Sequence, residues 1–279
     1  MNNEEKYINP FTDFGFKKLF GTEFNKELLI DFLNQVLGDR EQVQDLTYLN
    51  SENLGNTQTD RKAIFDLYCE NEQGEKFIIE LQNVKQQYFK DRSIFYSTFP
   101  IQSQAPKGKE WDYYLKAVYT IGILNFSFPD QIDYERFMRE VQLIDRETAE
   151  VFYDKLTFIY LEMPKFKKTE DELVSHFDKW LYVLKNLHRL QDRPVKLQEK
   201  VFEKLFSEAE IAKLNKEEMR AYEESLKVYR DNKNSMDYAI ETARKDRDIE
   251  IAKAMKKYGD PVDKIAAITG LTKEEIEKL

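Results

Sequence analysis

The sequence predicts an α/β region followed by an all-α region. Up to about residue 160, runs of aromatic and β-branched residues alternate with turn residues, which is typical of strands and helices in mixed order. Beyond that point the chain has no glycine until Gly259 and is rich in Glu, Lys, Leu and Ala. Met163-Pro164 marks the change, since proline disfavours helix at the residue before it. We therefore expect two regions, residues 1–163 and 164–279.

Composition limits the class of protein. With 14% aromatic residues, 9 Gly and 7 Pro in 279 residues, the chain is too apolar and too poor in turn formers to be disordered. A single cysteine, Cys69, excludes internal disulfides and multi-cysteine zinc sites. The longest apolar run, residues 117–128, is too short to span a membrane, and the first ten residues are polar. We expect a cytoplasmic protein that does not associate with membranes.

Charge is distributed unevenly along the chain. Residues 1–160 hold 18 basic and 27 acidic side chains, whereas residues 161–279 hold 25 of each. Residues 1–160 therefore carry the whole net charge of −9. An acidic total by itself gives no reason to expect a nucleic acid partner, because phosphate binding favours Lys and Arg.

The secondary structure of the first region follows from hydrophobic spacing. Apolar residues three and four apart predict a helix over residues 12–37, with Gly38 at its end. A second helix is expected over residues 86–102. Alternating and β-branched runs predict strands at residues 47–50, 63–70, 75–84, 115–128, 141–145 and 156–161. The strands at 63–70 and 75–84 are joined by four residues that end in Gly74, which predicts a β-hairpin.

The second region reads as helices throughout. An apolar stripe from Leu173 to Leu187 has helical spacing, and a long polar helix is expected over residues 235–258. Thr272 and Glu275 form a capping box at the start of the last helix. The final helix pair resembles a helix-turn-helix, but its second helix is short and acidic. A packing or dimerising hairpin is therefore favoured over a helix that reads DNA bases.

The predicted hairpin carries the residues suited to chemistry. Alternation along the second strand places Glu80 and Gln82 on one face, about 7 Å apart. If the hairpin pairs across its turn, Asp66 lies near Glu80. Two converging carboxylates suit Mg²⁺, which can generate an attacking hydroxide and stabilise charge on a phosphodiester. The alternative is two solvated carboxylates on the exposed face of an antiparallel sheet.

Several ordered sequence blocks between residues 9 and 166 resemble one known family. The blocks are PFTDFGFKKLFG at 10–21, RKAIFDLYC at 61–69, FIIELQ at 77–82, and the positions Tyr96, Gln104, Gly108 and Tyr113. In these blocks the chain resembles the PD-(D/E)XK nuclease family transposases, also called the recombination-promoting nuclease (Rpn) family. The resemblance covers more than half of the chain.

This resemblance implies a restriction-endonuclease-like core with a mixed central sheet that cuts DNA with Mg²⁺, or with Mn²⁺ as a substitute. Asp66 and Glu80 match the two acidic motif positions and would hold the metal. Gln82 stands at the position usually held by lysine and would help to place the attacking water. Phe65 replaces the proline of the motif. A glutamine carries no charge to lower the pKa of that water, so activity could be weak unless Lys17 or Lys85 supplies the charge.

Three further residues have two interpretations each. Asp13 and Lys17 lie four apart on one helix face, either as a surface ion pair or, by the family signature, as an additional metal-site carboxylate and a phosphate-contacting lysine. Arg92 either faces the DNA strand to be cut or is an ordinary exposed helix arginine. We therefore expect a metal-dependent DNA endonuclease that could dimerise through its C-terminal helices. The rival hypothesis is a catalytically silent DNA- or protein-binding module with the same fold.

Overall fold

A mixed sheet forms the centre of the first region. The computed structural model describes residues 5–53, 63–105, 112–129 and 135–279. The strands in these residues are β1 (Leu46–Tyr48), β2 (Glu52–Asn53), β3 (Ala63–Ile64), β4 (Leu67–Asn71), β5 (Lys76–Gln82), β6 (Val118–Leu124), β7 (Met138–Ile144) and β8 (Val151–Glu162). Six of them form one sheet in the order β1-β4-β5-β6-β8-β7, and β2 pairs with β3. The β5–β6 and β6–β8 pairs are parallel and the other pairs antiparallel, which confirms the predicted α/β fold with a mixed sheet.

Helices cover the sheet and make up the second region. They are α1 (Asp13–Phe20), α2 (Lys26–Leu37), α3 (Phe89–Ser103), α4 (His176–Asn186), α5 (Lys200–Ala209), α6 (Lys216–Lys257), α7 (Val262–Thr269) and α8 (Lys273–Glu277). The single helix predicted over residues 12–37 is wrong, because the chain breaks at Gly21. A Cβ there would lie 2.9 Å from the Lys17 carbonyl oxygen and 3.0 Å from Leu67 Cδ2, so glycine allows α1 to approach the start of β4. Helix α6 begins at Lys216, well before the predicted residue 235.

The predicted hairpin is present, but its first strand is interrupted. Strands β4 and β5 are antiparallel, with Leu67 opposite Ile79. The prediction of one strand over residues 63–70 is wrong, because Asp66 lies in a bend between β3 and β4. Its side chain replaces a backbone ladder bond, since the Leu81 amide donates to Asp66 Oδ2 at 2.6 Å. Asp66 therefore precedes the strand instead of lying within it.

The two faces of β5 pack against different helices, as the alternation predicts. Phe77 and Ile79 belong to the large core that contains α1, α2, α4 and α5. Ile78 packs on the other face, against side chains from α3. All seven residues of β6 are buried, because helices cover both faces of the parallel part of the sheet.

The chain divides into two compact units, Met1–Tyr229 and Arg230–Leu279. In the first unit, Trp180 of α4 is fully buried against Phe20, Phe32 and Phe202, so α4 and α5 share one core with the sheet. The predicted boundary after residue 163 therefore does not coincide with the boundary between the compact units. The apolar stripe of α4 is the reason, since it is buried on the same core. A functional division at residue 163 stays a prediction.

The second unit is a small helical cluster. Ala252 of α6 is buried with Ile265, Leu271 and Ile276, so α7 and α8 pack on the last turns of α6. The capping box of Thr272 and Glu275 is present. Self-association through these helices stays a prediction. Among the described residues, no helix combines the length and apolarity needed to cross a membrane.

Candidate active site

Asp66 and Glu80 meet at the end of β5 where α1 approaches the sheet. Glu80 is only 8% exposed and Asp66 is half-buried. Burial first and the nearby Asp66 charge second raise the pKa of the Glu80 carboxyl to about 8, although the Arg92 charge opposes the shift. Burial also raises the pKa of Asp66, although the hydrogen bond from the Leu81 amide partly opposes the shift. The predicted proximity of these two carboxylates is therefore present in the structure.

One oxygen of Glu80 lacks a hydrogen-bond partner. Oε1 is buried and receives no hydrogen bond from any described residue. A buried polar atom without a partner costs about 1–3 kcal/mol, and more when the group is charged. A proton on Glu80 or a bound cation would compensate for the missing hydrogen bond, and the raised pKa of Glu80 means that the protonated form is favoured.

This pair fits a divalent cation with oxygen preference. Mg²⁺ keeps several waters and takes one or two protein carboxylates together with substrate phosphate. Asp66 and Glu80 supply two carboxylates, one of them with a free oxygen. No group of three Asp, Glu, His or Cys side chains suited to one metal ion occurs among the described residues, so Asp13 does not complete such a cluster.

Arg92 of α3 connects the remaining residues of the predicted site. Its guanidinium donates to the side-chain oxygens of Gln82 and Gln86, and Nη2 lies 3.8 Å from Glu80 Oε2. The guanidinium also lies over the rings of Phe89 and Tyr96, with distances to the centroids of 5.3 and 5.5 Å. Its side chain is 26% exposed, which does not fit an ordinary exposed helix arginine. The charge beside Gln82 thus comes from Arg92.

Among the described contacts, the Gln82 amide bonds to Arg92 and the Val84 carbonyl oxygen and to neither of the two lysines proposed as alternatives. Lys17 Nζ is 2.8 Å from Asp13 Oδ1, and both side chains are half-exposed or more. The surface ion pair is therefore present, yet both charges also act on Asp66: Asp13 raises its pKa and Lys17 lowers it. Helix α1 consequently contributes one charge of each sign near Asp66. Lys85 is exposed on the turn that follows β5.

The start of α1 is fixed by a compact set of hydrogen bonds. The Thr12 hydroxyl accepts from the Gly15 amide at 3.0 Å and donates to the Asn9 carbonyl oxygen at 2.8 Å. Gly15 is required here, because a Cβ would lie 2.2 Å from that oxygen. Asn83, just after β5, donates to the Phe11 carbonyl oxygen at 2.7 Å. These contacts hold the beginning of α1, and so Asp13, beside the end of β5.

Sequence reasoning missed Asn9 and Asn83. Asn83 directly follows the FIIELQ block, which is the only local signal of its position. Its partner at Phe11 is 72 residues away, so the contact could not be read from spacing. Of the block positions quoted above, Arg61, Lys62 and Gly108 lie outside the described residues.

The bent hairpin, the covering helix α3 and the parallel strand β6 define a PD-(D/E)XK nuclease-like fold. A sequence model of the PD-(D/E)XK nuclease family transposases matches residues 10–239. The chain therefore belongs to this family, and the resemblance noted from the sequence is confirmed. No curated protein and no solved structure matches the chain.

Proposed function

We propose that this protein is a metal-dependent DNA endonuclease that hydrolyses phosphodiester bonds. The observation that carries the proposal is the convergence of two carboxylates, the buried Glu80 and the half-buried Asp66, with one Glu80 oxygen left without a hydrogen bond. Membership of a nuclease family implies DNA as the substrate.

Asp66 and Glu80 would hold Mg²⁺, with Mn²⁺ as a substitute. When bound, the ion would supply a hydroxide at neutral pH and stabilise negative charge on the phosphate. Arg92 carries the positive charge that Gln82 lacks, and its fork of N–H donors suits a phosphate oxygen. Lys17 and the exposed Lys85 would contact the DNA backbone on either side.

Each polar atom of the Gln82 amide has a partner within the protein. Its oxygen accepts from Arg92, and its nitrogen donates to the Val84 carbonyl oxygen at 3.0 Å. These two bonds hold the amide in one orientation beside Glu80. Gln82 thus keeps Arg92 in place and can present its amide to a water or a phosphate oxygen.

Cleavage of supercoiled plasmid tests this proposal. The wild-type protein should nick the plasmid with Mg²⁺ or Mn²⁺ and lose activity in EDTA. Asp66→Asn should lower the rate by more than about 100-fold, because a neutral amide holds a divalent ion poorly. Asp192→Asn, whose side chain is 91% exposed and far along the chain, is the matched control and should cleave like wild type. Equal cleavage by Asp66→Asn and wild type would overturn the assignment.

A second candidate, a silent DNA-binding module, has one observation in its favour. Gln82 brings no charge to the position where the motif usually has lysine. This candidate predicts that the protein binds duplex DNA in fluorescence anisotropy but leaves plasmid intact with every divalent metal and salt concentration. Metal-dependent nicking by wild type that is absent in Asp66→Asn rules this candidate out.

A further inference from the structure

The first turns of α6 contact the start of α1. Glu218, Tyr222 and Ser225 lie at positions i, i+4 and i+7, so they share one face of α6. This face meets the segment that contains Asn9 and the first residues of α1. The contact joins parts of the chain more than 200 residues apart.

This contact includes four interactions. The Ser225 hydroxyl accepts a hydrogen bond from the Phe14 amide at 3.1 Å, and the buried Tyr222 hydroxyl accepts one from the Asn9 amide at 3.0 Å. The Phe14 and Tyr222 rings lie 5.9 Å apart. Lys18 Nζ is 2.6 Å from Glu218 Oε1. Two of the four are hydrogen bonds from backbone amides, so they fix the position of the backbone at Asn9 and Phe14.

The Ser225 bond forms part of the cap of α1. The first amides of an α-helix have no partner within the helix and need an outside acceptor. The Thr12 hydroxyl serves the Gly15 amide, and Ser225 serves the Phe14 amide. The acceptor for a helix that borders the site therefore comes from α6.

Helix α1 is thereby held on two sides. Asn83 binds the Phe11 carbonyl oxygen from the end of β5, and α6 binds the Asn9 and Phe14 amides. Asp13 lies between the bonded residues Asn9 and Phe14, and Lys17 lies one turn later in α1. Asn83 directly follows β5, the strand that carries Glu80 and Gln82, so these contacts keep the first turn of α1 at the end of that strand.

We propose that Tyr222 and Ser225 are positioning residues of the nuclease site: they hold α1 so that Asp13 and Lys17 stand beside Asp66. This inference rests on the proposed function. A misplacement of about 1 Å far from the chemistry can cost up to about 100-fold in rate, so loss of one such bond is expected to have a measurable effect.

The experiment compares kcat for plasmid cleavage among full-length variants at a temperature where all of them are folded by circular dichroism. Tyr222→Phe keeps the ring contact with Phe14 and removes only the hydroxyl, and Ser225→Ala removes only the acceptor. Each should lower kcat about tenfold. Ser225→Thr keeps a hydroxyl and should restore most of the rate. Val228→Ala, on the same helix but 59% exposed, should match wild type.

A double-mutant test separates positioning from a general structural role. If Ser225 acts through Asp13 and Lys17, then Ser225→Ala should cause no further loss in a chain that already carries Asp13→Ala and Lys17→Ala. A second readout needs no cleavage: with Ca²⁺ in place of Mg²⁺, Ser225→Ala should weaken binding of a duplex oligonucleotide by the same factor as Lys17→Ala.

The outcomes distinguish this inference from the proposed function. If wild type cleaves and the losses are additive, or if Tyr222→Phe and Ser225→Ala match wild type, the inference alone is wrong. If wild type neither cleaves nor binds DNA, the proposed function is wrong and the inference falls with it. Non-additive losses in cleavage and matching losses in binding support it.

Discussion

Replacement of Glu80 by glutamine is expected to lower the rate of Mg²⁺-dependent plasmid cleavage by at least about 1000-fold. Glu80 would supply one of two carboxylates for the metal, and a bound divalent ion is worth several kcal/mol of charge stabilisation. The amide is nearly the same size as the carboxyl, so the buried site keeps its shape. The loss of cleavage rate would therefore come from the removed negative charge and not from altered packing.

The measurement is the initial rate of nicking under single-turnover conditions. Glu70→Gln is the matched control, because it makes the same change in the same hairpin, at the opposite end of β4 from Asp66. That variant should stay within a few-fold of wild type. A Glu80→Gln protein that cleaves within threefold of wild type contradicts the assignment of Glu80.

The same substitution should make the metal-free protein less sensitive to alkaline pH. The pKa of Glu80 rises from 4.5 to about 8 in the folded state, mainly because the group is buried. Its protonated form therefore contributes stability that is fully present below the unfolded pKa of 4.5 and is lost as pH rises through about 8. In urea unfolding with EDTA, wild type should lose more stability than Glu80→Gln between pH 6 and pH 9. An equal loss in the two proteins would show that Glu80 is already ionised in the folded protein at pH 6, so that its pKa is not raised.

Arg92→Ala should lower the cleavage rate by about 100-fold, the scale of losing one preorganised donor to developing charge. Arg92 is the cation that contacts both Gln82 and Glu80, with 3.8 Å from Nη2 to Glu80 Oε2. The change removes the positive charge beside the carboxylates and leaves the Gln82 oxygen without its donor.

Two variants make the Arg92 result specific. Arg92→Lys keeps the charge but not the planar fork, so an intermediate rate is expected. Lys90→Ala removes a positive charge from the same helix, where Lys90 lies over the Phe128 ring, and should leave the rate close to that of wild type. If Arg92→Ala cleaves like wild type while Glu80→Gln does not, the charge at Gln82 has another source.

The fold was largely predictable because periodic burial determines most of it. The all-buried strand β6, the hairpin and the α4 stripe follow from patterns within a single segment. The local sequence does not show which part of the protein packs against an apolar helix stripe. Trp180 packs on Phe20 and Phe32, which are about 150 residues earlier, and this contact joins regions that composition separates.

The residue types of the candidate site follow from the sequence, whereas the contacts among them do not. Alternation and the family blocks pointed to Asp66, Glu80 and Gln82. The bend at Asp66 depends on a bond to the Leu81 amide, 15 residues away, and the bond from Arg92 to Gln82 spans the turn between β5 and α3. The sequence predicts only that Tyr222 and Ser225 belong to a helix. Their hydroxyls accept hydrogen bonds from amides more than 200 residues earlier, which no local pattern indicates.

The most direct test of the central claim, that Asp66 and Glu80 form one metal site, is calorimetric titration of the full-length protein with Mn²⁺. Wild type and Asp192→Asn should bind the ion saturably with the same affinity. Asp66→Asn and Glu80→Gln should each bind at least about tenfold more weakly. Below pH 8, binding to wild type should release a proton from Glu80, seen as a dependence of the heat on the buffer. Equal Mn²⁺ affinity in wild type and both site variants would contradict the claim.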